Sequence, residues 1–321
     1  KRLDHEILGY TFRHDSFYES IAGWLKRRQG WDVKKEWISF SPGIVPALNL
    51  AVLAFTEPGD KIIVQRPVYF PFFPAIERHG RILINNPLRY ERGRYEMDLE
   101  DLIQKTDPRV KMLMLCSPHN PTGNVWCYED LMKLTEICIE KNILILSDEI
   151  HSDLVFKGSR HIPTASLSHE AADITFTCVA PSKTFNLAGL STSAVIASNR
   201  VLKEKYDSML EDIHVAGGSV FGFTALEAAY NNGDKWLDAL MAYLEDNLHY
   251  LITFLGENIP RIKPVIPEAT YMVWLDCREM GLDDKELKRF MIHEAGLGLS
   301  EGILFGAEGA GFQRINIGCP K

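Results

Sequence analysis

The chain predicts an α/β protein built on a mostly parallel seven-stranded sheet, and three observations carry that expectation. Seven short apolar runs recur between residues 37 and 197, stretches of helical period fill most of the gaps between them, and the runs are nearly continuous rather than alternating in polarity. Strands apolar on both faces belong in a sheet sandwiched by helices. At 321 residues the chain can bury a large core,.

Taken in order, the predicted strands are residues 37–40, 61–64, 81–84, 111–116, 143–147, 174–179 and 192–197. After Asn199 the pattern changes to long helices over 201–212, 221–231 and 235–257. From Pro260 it changes again, to strands and one further helix, with Pro260, Pro264 and Pro267 marking the break,. These shifts divide the chain into a large domain, 1–259, and a smaller α+β C-terminal domain, 260–321. The sequence opens without Met in what reads as mid-helix, and it stops directly after a strand-like 314–317. Both ends therefore read as cut, leaving the large domain without its first segment and the small one truncated.

Composition narrows the function. An excess of 43 acidic over 35 basic side chains, net charge −8, argues against a nucleic-acid surface or an anionic membrane partner,. No apolar run reaches membrane length. Cys116, Cys127, Cys138, Cys178, Cys277 and Cys319 are scattered, without a CxxC pair or zinc-like histidine spacing, so they read as reduced thiols of a cytoplasmic protein with no metal centre,.

Ligands of parallel sheets sit at the carboxyl ends of the strands, and the chemically suggestive residues follow strands here. Lys183, in Ala-Pro-Ser-Lys-Thr-Phe-Asn, comes after the run ending at Val179. Burial disfavours an ammonium and so favours a nucleophilic amine. Asp148, in Ser-Asp-Glu-Ile-His, closes another apolar run; a carboxylate there either meets a cation or caps the next turn,. Asn120 lies in Ser-Pro-His-Asn-Pro-Thr-Gly, where prolines and glycine set a turn able to present its amide, with His119 a structural neighbour,. An amine for an aldehyde, a carboxylate for a ring nitrogen and an amide for a ring oxygen together read as a pyridoxal 5′-phosphate site.

Three further segments complete the reading. Ser-Pro-Gly-Ile-Val-Pro-Ala, from Ser41, joins a strand to a helix whose first N–H groups can hold a phosphate, and Ser182 adds a hydroxyl beside the lysine,. The glycine-rich stretch 306–311 lacks the dinucleotide fingerprint and reads as a loop,. Tyr69 stands at a strand exit, suited to stacking on a flat ring or, with Phe70, Phe72 and Phe73, simply to the core,. Arg314, between apolar neighbours, calls for a carboxylate partner, either a substrate or an internal acid,.

These strings resemble the fold-type I pyridoxal phosphate enzymes of the aspartate aminotransferase superfamily over nearly the whole chain. Gly-Ile-Val-Pro-Ala-Leu at Gly43, Ser-Pro-His-Asn-Pro-Thr-Gly-Asn-Val-Trp at Ser117, Ser-Asp-Glu-Ile-His-Ser-Asp-Leu-Val at Ser147 and Ala-Pro-Ser-Lys-Thr-Phe-Asn-Leu-Ala-Gly-Leu at Ala180 are most similar to its MalY/PatB-like cystathionine β-lyase branch. The resemblance implies Lys183 bonded to the cofactor aldehyde, Asp148 at the pyridine nitrogen, Asn120 and His151 near the ring oxygen, and Tyr69 on the ring face. It further implies Ile44, Val45 and Ser182 at the phosphate and Arg314 on the substrate carboxylate. Tyr10 resembles a tyrosine reaching the neighbouring subunit's phosphate, which implies a homodimer with shared sites. Two departures from the aspartate aminotransferases, Ser191 in place of a phosphate-binding arginine and His151 in place of a tyrosine, lean toward the lyase branch. The implied activity is α,β-elimination from cystathionine or cysteine-type amino acids, with transamination as the alternative. A purely regulatory role finds no supporting motif.

Overall fold

The computed structural model of the protein describes residues 2–320; Lys1 and Lys321, the chain ends on which the reading of cut termini bears, lie outside the described residues. The strands run in chain order β1 (Ile38–Ser41), β2 (Lys61–Val64), β3 (Ile82–Asn85), β4 (Arg89–Glu91), β5 (Arg94–Glu96), β6 (Val110–Cys116), β7 (Leu144–Asp148), β8 (Thr175–Val179), β9 (Ser193–Ile196), β10 (Lys263–Val265), β11 (Met272–Asp276), β12 (Ser300–Glu301) and β13 (Phe312–Asn316). The α-helices are α1 (Asp15–Gln29), α2 (Ile44–Phe55), α3 (Phe72–Glu77), α4 (Leu99–Lys105), α5 (Tyr128–Glu140), α6 (His169–Ile174), α7 (Pro181–Thr184), α8 (Arg200–Asp212), α9 (Val220–Asn232), α10 (Asp234–Asn258) and α11 (Asp284–Arg289).

Each of the seven apolar runs became a strand of one sheet, in the order β1-β9-β8-β7-β6-β2-β3. Only β9 runs against its neighbours; β8, β7, β6, β2 and β3 are parallel. Alternation along a strand divides its side chains between two cores. Met112, Met114 and Cys116 of β6 join a cluster with Leu48 and Val52 of α2 and Tyr206 of α8. Leu113 and Leu115 face the other way, onto Leu102 of α4 and Leu131 and Leu134 of α5. Both faces are thus covered, which is why these strands lack a polar side. A third cluster packs α1, α9 and α10 against the β1 and β9 end of the sheet through Phe17, Trp24, Phe223 and Leu244.

The chain after α10 builds a separate antiparallel sheet, β10-β11-β13-β12. It brings β13, and with it Arg314, back to the large sheet. At the opposite end the expected helix is missing: a single 3-10 turn, Arg2–Asp4, precedes residues without regular structure up to α1. That stretch includes Gly9 and the exposed Ile7, Leu8, Tyr10 and Phe12, and it buries no apolar stripe that could sustain a helix,.

Candidate active site

The carboxyl ends of the parallel strands border one cavity of about 240 Å³. Ile44, Tyr69, Asn120, Asp148, His151, Lys183 and Arg314, all anticipated from the sequence, line it. Phe70, Cys116, Ile150 and Met272 complete the wall. A wider depression of about 560 Å³ lies at the amino ends of β6 and β7, around Asp107, Lys111 and Asn142. Ligands of parallel sheets bind at the other end, where the smaller cavity is.

Asp148 is the last residue of β7 and is 2 % exposed. Its carboxylate accepts one bond, from the Ile150 N–H at 3.2 Å. Burial pushes the carboxyl up to about 7, against the opposing pull of that bond and of the Lys183 charge,. The next residue behaves differently because it points to the other face. Glu149 is fully buried and accepts from Ser147 Oγ at 2.8 Å, from His161 Nε2 at 2.9 Å and from the Thr164 N–H at 3.0 Å. Glu149 is therefore satisfied, while Asp148 is left facing the cavity with little to balance its charge.

Lys183 sits in α7, a single turn following β8, and makes no side-chain hydrogen bond or ion pair among the described residues. His151 is buried, its Nδ1 has no hydrogen-bond partner, and its ring lies edge-on to Tyr271 at 5.9 Å. Burial, then the positive charges of Lys183 and Arg314, pull the imidazole down to about 3, so it is neutral at working pH. Burial and the Asp148 charge push the Tyr69 phenol up to about 12.

Arg314 answers the question the sequence left open about its partner. Its guanidinium donates to Asn120 Oδ1 at 2.9 Å and Ser300 Oγ at 3.2 Å, and lies over the Phe305 ring at 4.7 Å. Among the described residues it has no acidic partner. A guanidinium so placed, with burial drawing its pKa down, still needs an anion,. The bond from Arg314 also fixes the Asn120 amide, turning the Nδ2 donor away from Arg314.

Gly43, at φ 139°, closes β1 into α2, in a backbone conformation that side chains rarely adopt,. The first turn of α2 then leaves the Ile44 and Val45 N–H groups without intrahelical acceptors. Ile44 lines the cavity, and Val45, next to it, is partly exposed. Ser182 is half-buried beside Lys183 but does not line the cavity, and Tyr10 is 99 % exposed outside it. Ser191 is also exposed, in left-handed backbone away from the lining. His119 stays out of the cavity, bonded through Nδ1 to Thr122 Oγ1 at 2.8 Å, as its reading as a structural neighbour anticipated.

Residues 4–321 match the family model described as aminotransferase class I and II. The chain belongs to that family. Within it, the chain is 47% identical to cystathionine β-lyase PatB of Bacillus subtilis (strain 168), over 99% of this chain and 83% of that protein. It is 32% identical to protein MalY of Escherichia coli (strain K12), over 100% of this chain and 82% of that one. Among solved structures it superposes on the pyridoxal phosphate-bound C–S lyase of Staphylococcus hominis with a TM-score of 0.92 and 35% identity, covering 99% of this chain and 82% of the other.

Proposed function

We propose that the protein is a pyridoxal 5′-phosphate-dependent carbon–sulfur β-lyase, converting cystathionine- or cysteine-type amino acids into a thiol, pyruvate and ammonia by α,β-elimination. The observation that carries the reading is a single cavity lined by Lys183, Asp148, Asn120, His151, Tyr69 and Arg314. The likeness to a cystathionine β-lyase and a C–S lyase supports the reaction class. Transamination would use the same residues and is the family's own description, so the lyase assignment rests on those relatives.

The residues fit the cofactor. Asp148 is a buried carboxylate lacking a cation, His151 carries an unpartnered buried nitrogen, and Lys183 has an uncommitted amine. Lys183 would hold the aldehyde carbon, Asp148 the pyridine nitrogen, Asn120 and His151 the ring oxygen, and Tyr69 the ring face. The N–H groups of Ile44 and Val45 and the Ser182 hydroxyl would hold the phosphate. When bound, pyridoxal 5′-phosphate supplies a ring that delocalises negative charge developing at the substrate Cα.

The remaining work belongs to the protein. Asp148, as the carboxylate, would hold the ring nitrogen in its protonated form. Arg314 seats the substrate carboxylate and thereby orients Cα. Lys183 Nζ, as a free amine, would take the Cα proton as general base. His151 and Tyr69, both uncharged, add no competing charge to the pocket. The thiolate departs from Cβ, and hydrolysis of the released enamine gives pyruvate and ammonia.

The same proposal includes a homodimer in which the exposed Tyr10 serves the partner's phosphate site. It retains a division into 1–259 and 260–321, supported by the separate second sheet. It places the enzyme in the cytoplasm, in keeping with six free cysteines,. Among the described residues no helix is long and apolar enough to cross a membrane. The test is direct: cofactor added to the native protein should give a visible absorbance band and pyruvate release, and Lys183→Ala should lose both. Near-native turnover by Lys183→Ala would contradict the assignment.

A further inference from the structure

Beyond Asp148 and the satisfied Glu149, the same turn carries a further carboxylate, Asp153, that the proposed chemistry does not use. Asp153 Oδ2 accepts from Thr184 Oγ1 at 2.8 Å, and Thr184 is the residue after Lys183. Trp24 Nε1 of α1 donates to both Asp153 oxygens, at 3.0 and 3.1 Å. The clamp is reinforced on each side. Gln29, at the end of α1, donates to Ser152 Oγ at 2.7 Å, and Phe185 packs edge-on against the Trp24 ring at 5.5 Å. Both donors are buried, Thr184 fully and Trp24 at 1% exposed, while Asp153 itself is partly buried, so water has limited access to these bonds,.

We infer that Asp153 is a positioning residue for Lys183. It ties the α7 turn bearing the amine to the turn bearing His151, and ties both to α1. The inference rests on the functional reading above. A four-residue helix has little rigidity of its own, because nucleating a single turn is unfavourable without tertiary contacts. The Asp153–Thr184 bond supplies one such contact at the residue adjoining the amine. Loosening it lets Lys183 Nζ move relative to His151 and Asp148, and small misplacements of a reacting group are costly in rate.

Thr184→Val keeps the shape of the side chain but removes the donor, and Thr184→Ser restores a hydroxyl. In Thr184→Val loaded with cofactor, kcat for cystathionine should fall about 10-fold with KM within about twofold. The pH midpoint of the visible band, which reports the surroundings of the Lys183 nitrogen, should move by about half a unit or more, and Thr184→Ser should bring both back. Asp153→Asn, which keeps one acceptor oxygen, should shift both readings in the same direction. Variants that bind cofactor with native band midpoint and native kcat overturn the positioning role, whatever happens to their melting temperature. A native protein that forms no band at all overturns the functional reading instead.

Discussion

Among single residues, Asp148 has the sharpest physical consequence. With its carboxyl pushed up to about 7 in the folded protein and about 3.9 in an unfolded chain, the cofactor-free fold holds a proton between those limits that the unfolded chain has released,. Stability from this group is therefore present at low pH and is lost as pH rises through about 7. Asp148→Asn, which carries no charge at any pH, should stabilise the cofactor-free protein at pH 8 by up to about 4 kcal/mol, with the gain vanishing toward pH 4. Urea unfolding across that range reads it; a difference independent of pH would count against the buried, uncompensated carboxylate. Lys183, Asn120 and Asp148 were legible because each follows an apolar run, and the strand-end rule then brings them together. Phe70, Ile150 and Met272 were not: nothing in an apolar residue's type separates a cavity wall from core. Cys116 carried a weak signal, as the last residue of the strand before Asn120.

At the scale of elements, the turn holding Asn120 depends on a contact made by distant chain. Gly123, at φ +76°, accepts the Glu268 and Ala269 N–H groups at 2.9 and 3.0 Å. A Cβ there would lie 2.4 Å from Pro267 Cβ and 2.9 Å from its Cα. Gly123→Ala should therefore destabilise the protein by about 1–3 kcal/mol and weaken cofactor retention by displacing the Asn120 turn. Thermal unfolding and a cofactor titration read the two effects, and native values for both would contradict the close approach. The large sheet was legible because burial on both faces leaves each strand an unbroken apolar run. The second sheet was less so, since β12 has two residues and β10 contains a proline. Its closeness to the cavity comes from pairing, Trp274 opposite Arg314 and Met272 opposite Asn316, which no local pattern announces. The opening residues misread as helix show the converse: apolar side chains without a surface to bury against do not make one,.

For the whole molecule, the proposed shared-site dimer makes a prediction that no single chain could satisfy. If Tyr10 serves the partner's site, a mixture of inactive Lys183→Ala and impaired Tyr10→Ala chains should regain activity after subunit exchange. Each mixed dimer then holds one site with both residues intact, so an equal mixture should approach about a quarter of native turnover. No recovery, with mixed dimers demonstrated, would confine each site to its own chain. Arg314, which lines the cavity and has no acidic partner among the described residues, is free to meet a substrate carboxylate there,. The central claim, elimination rather than amino-group transfer, is tested most directly by supplying cystathionine to the cofactor-loaded protein without any keto acid and measuring pyruvate over many turnovers. Continued release of pyruvate with matching ammonia is the expected result. A visible absorbance band with no pyruvate until a keto-acid acceptor is added would make the protein an aminotransferase and contradict the account.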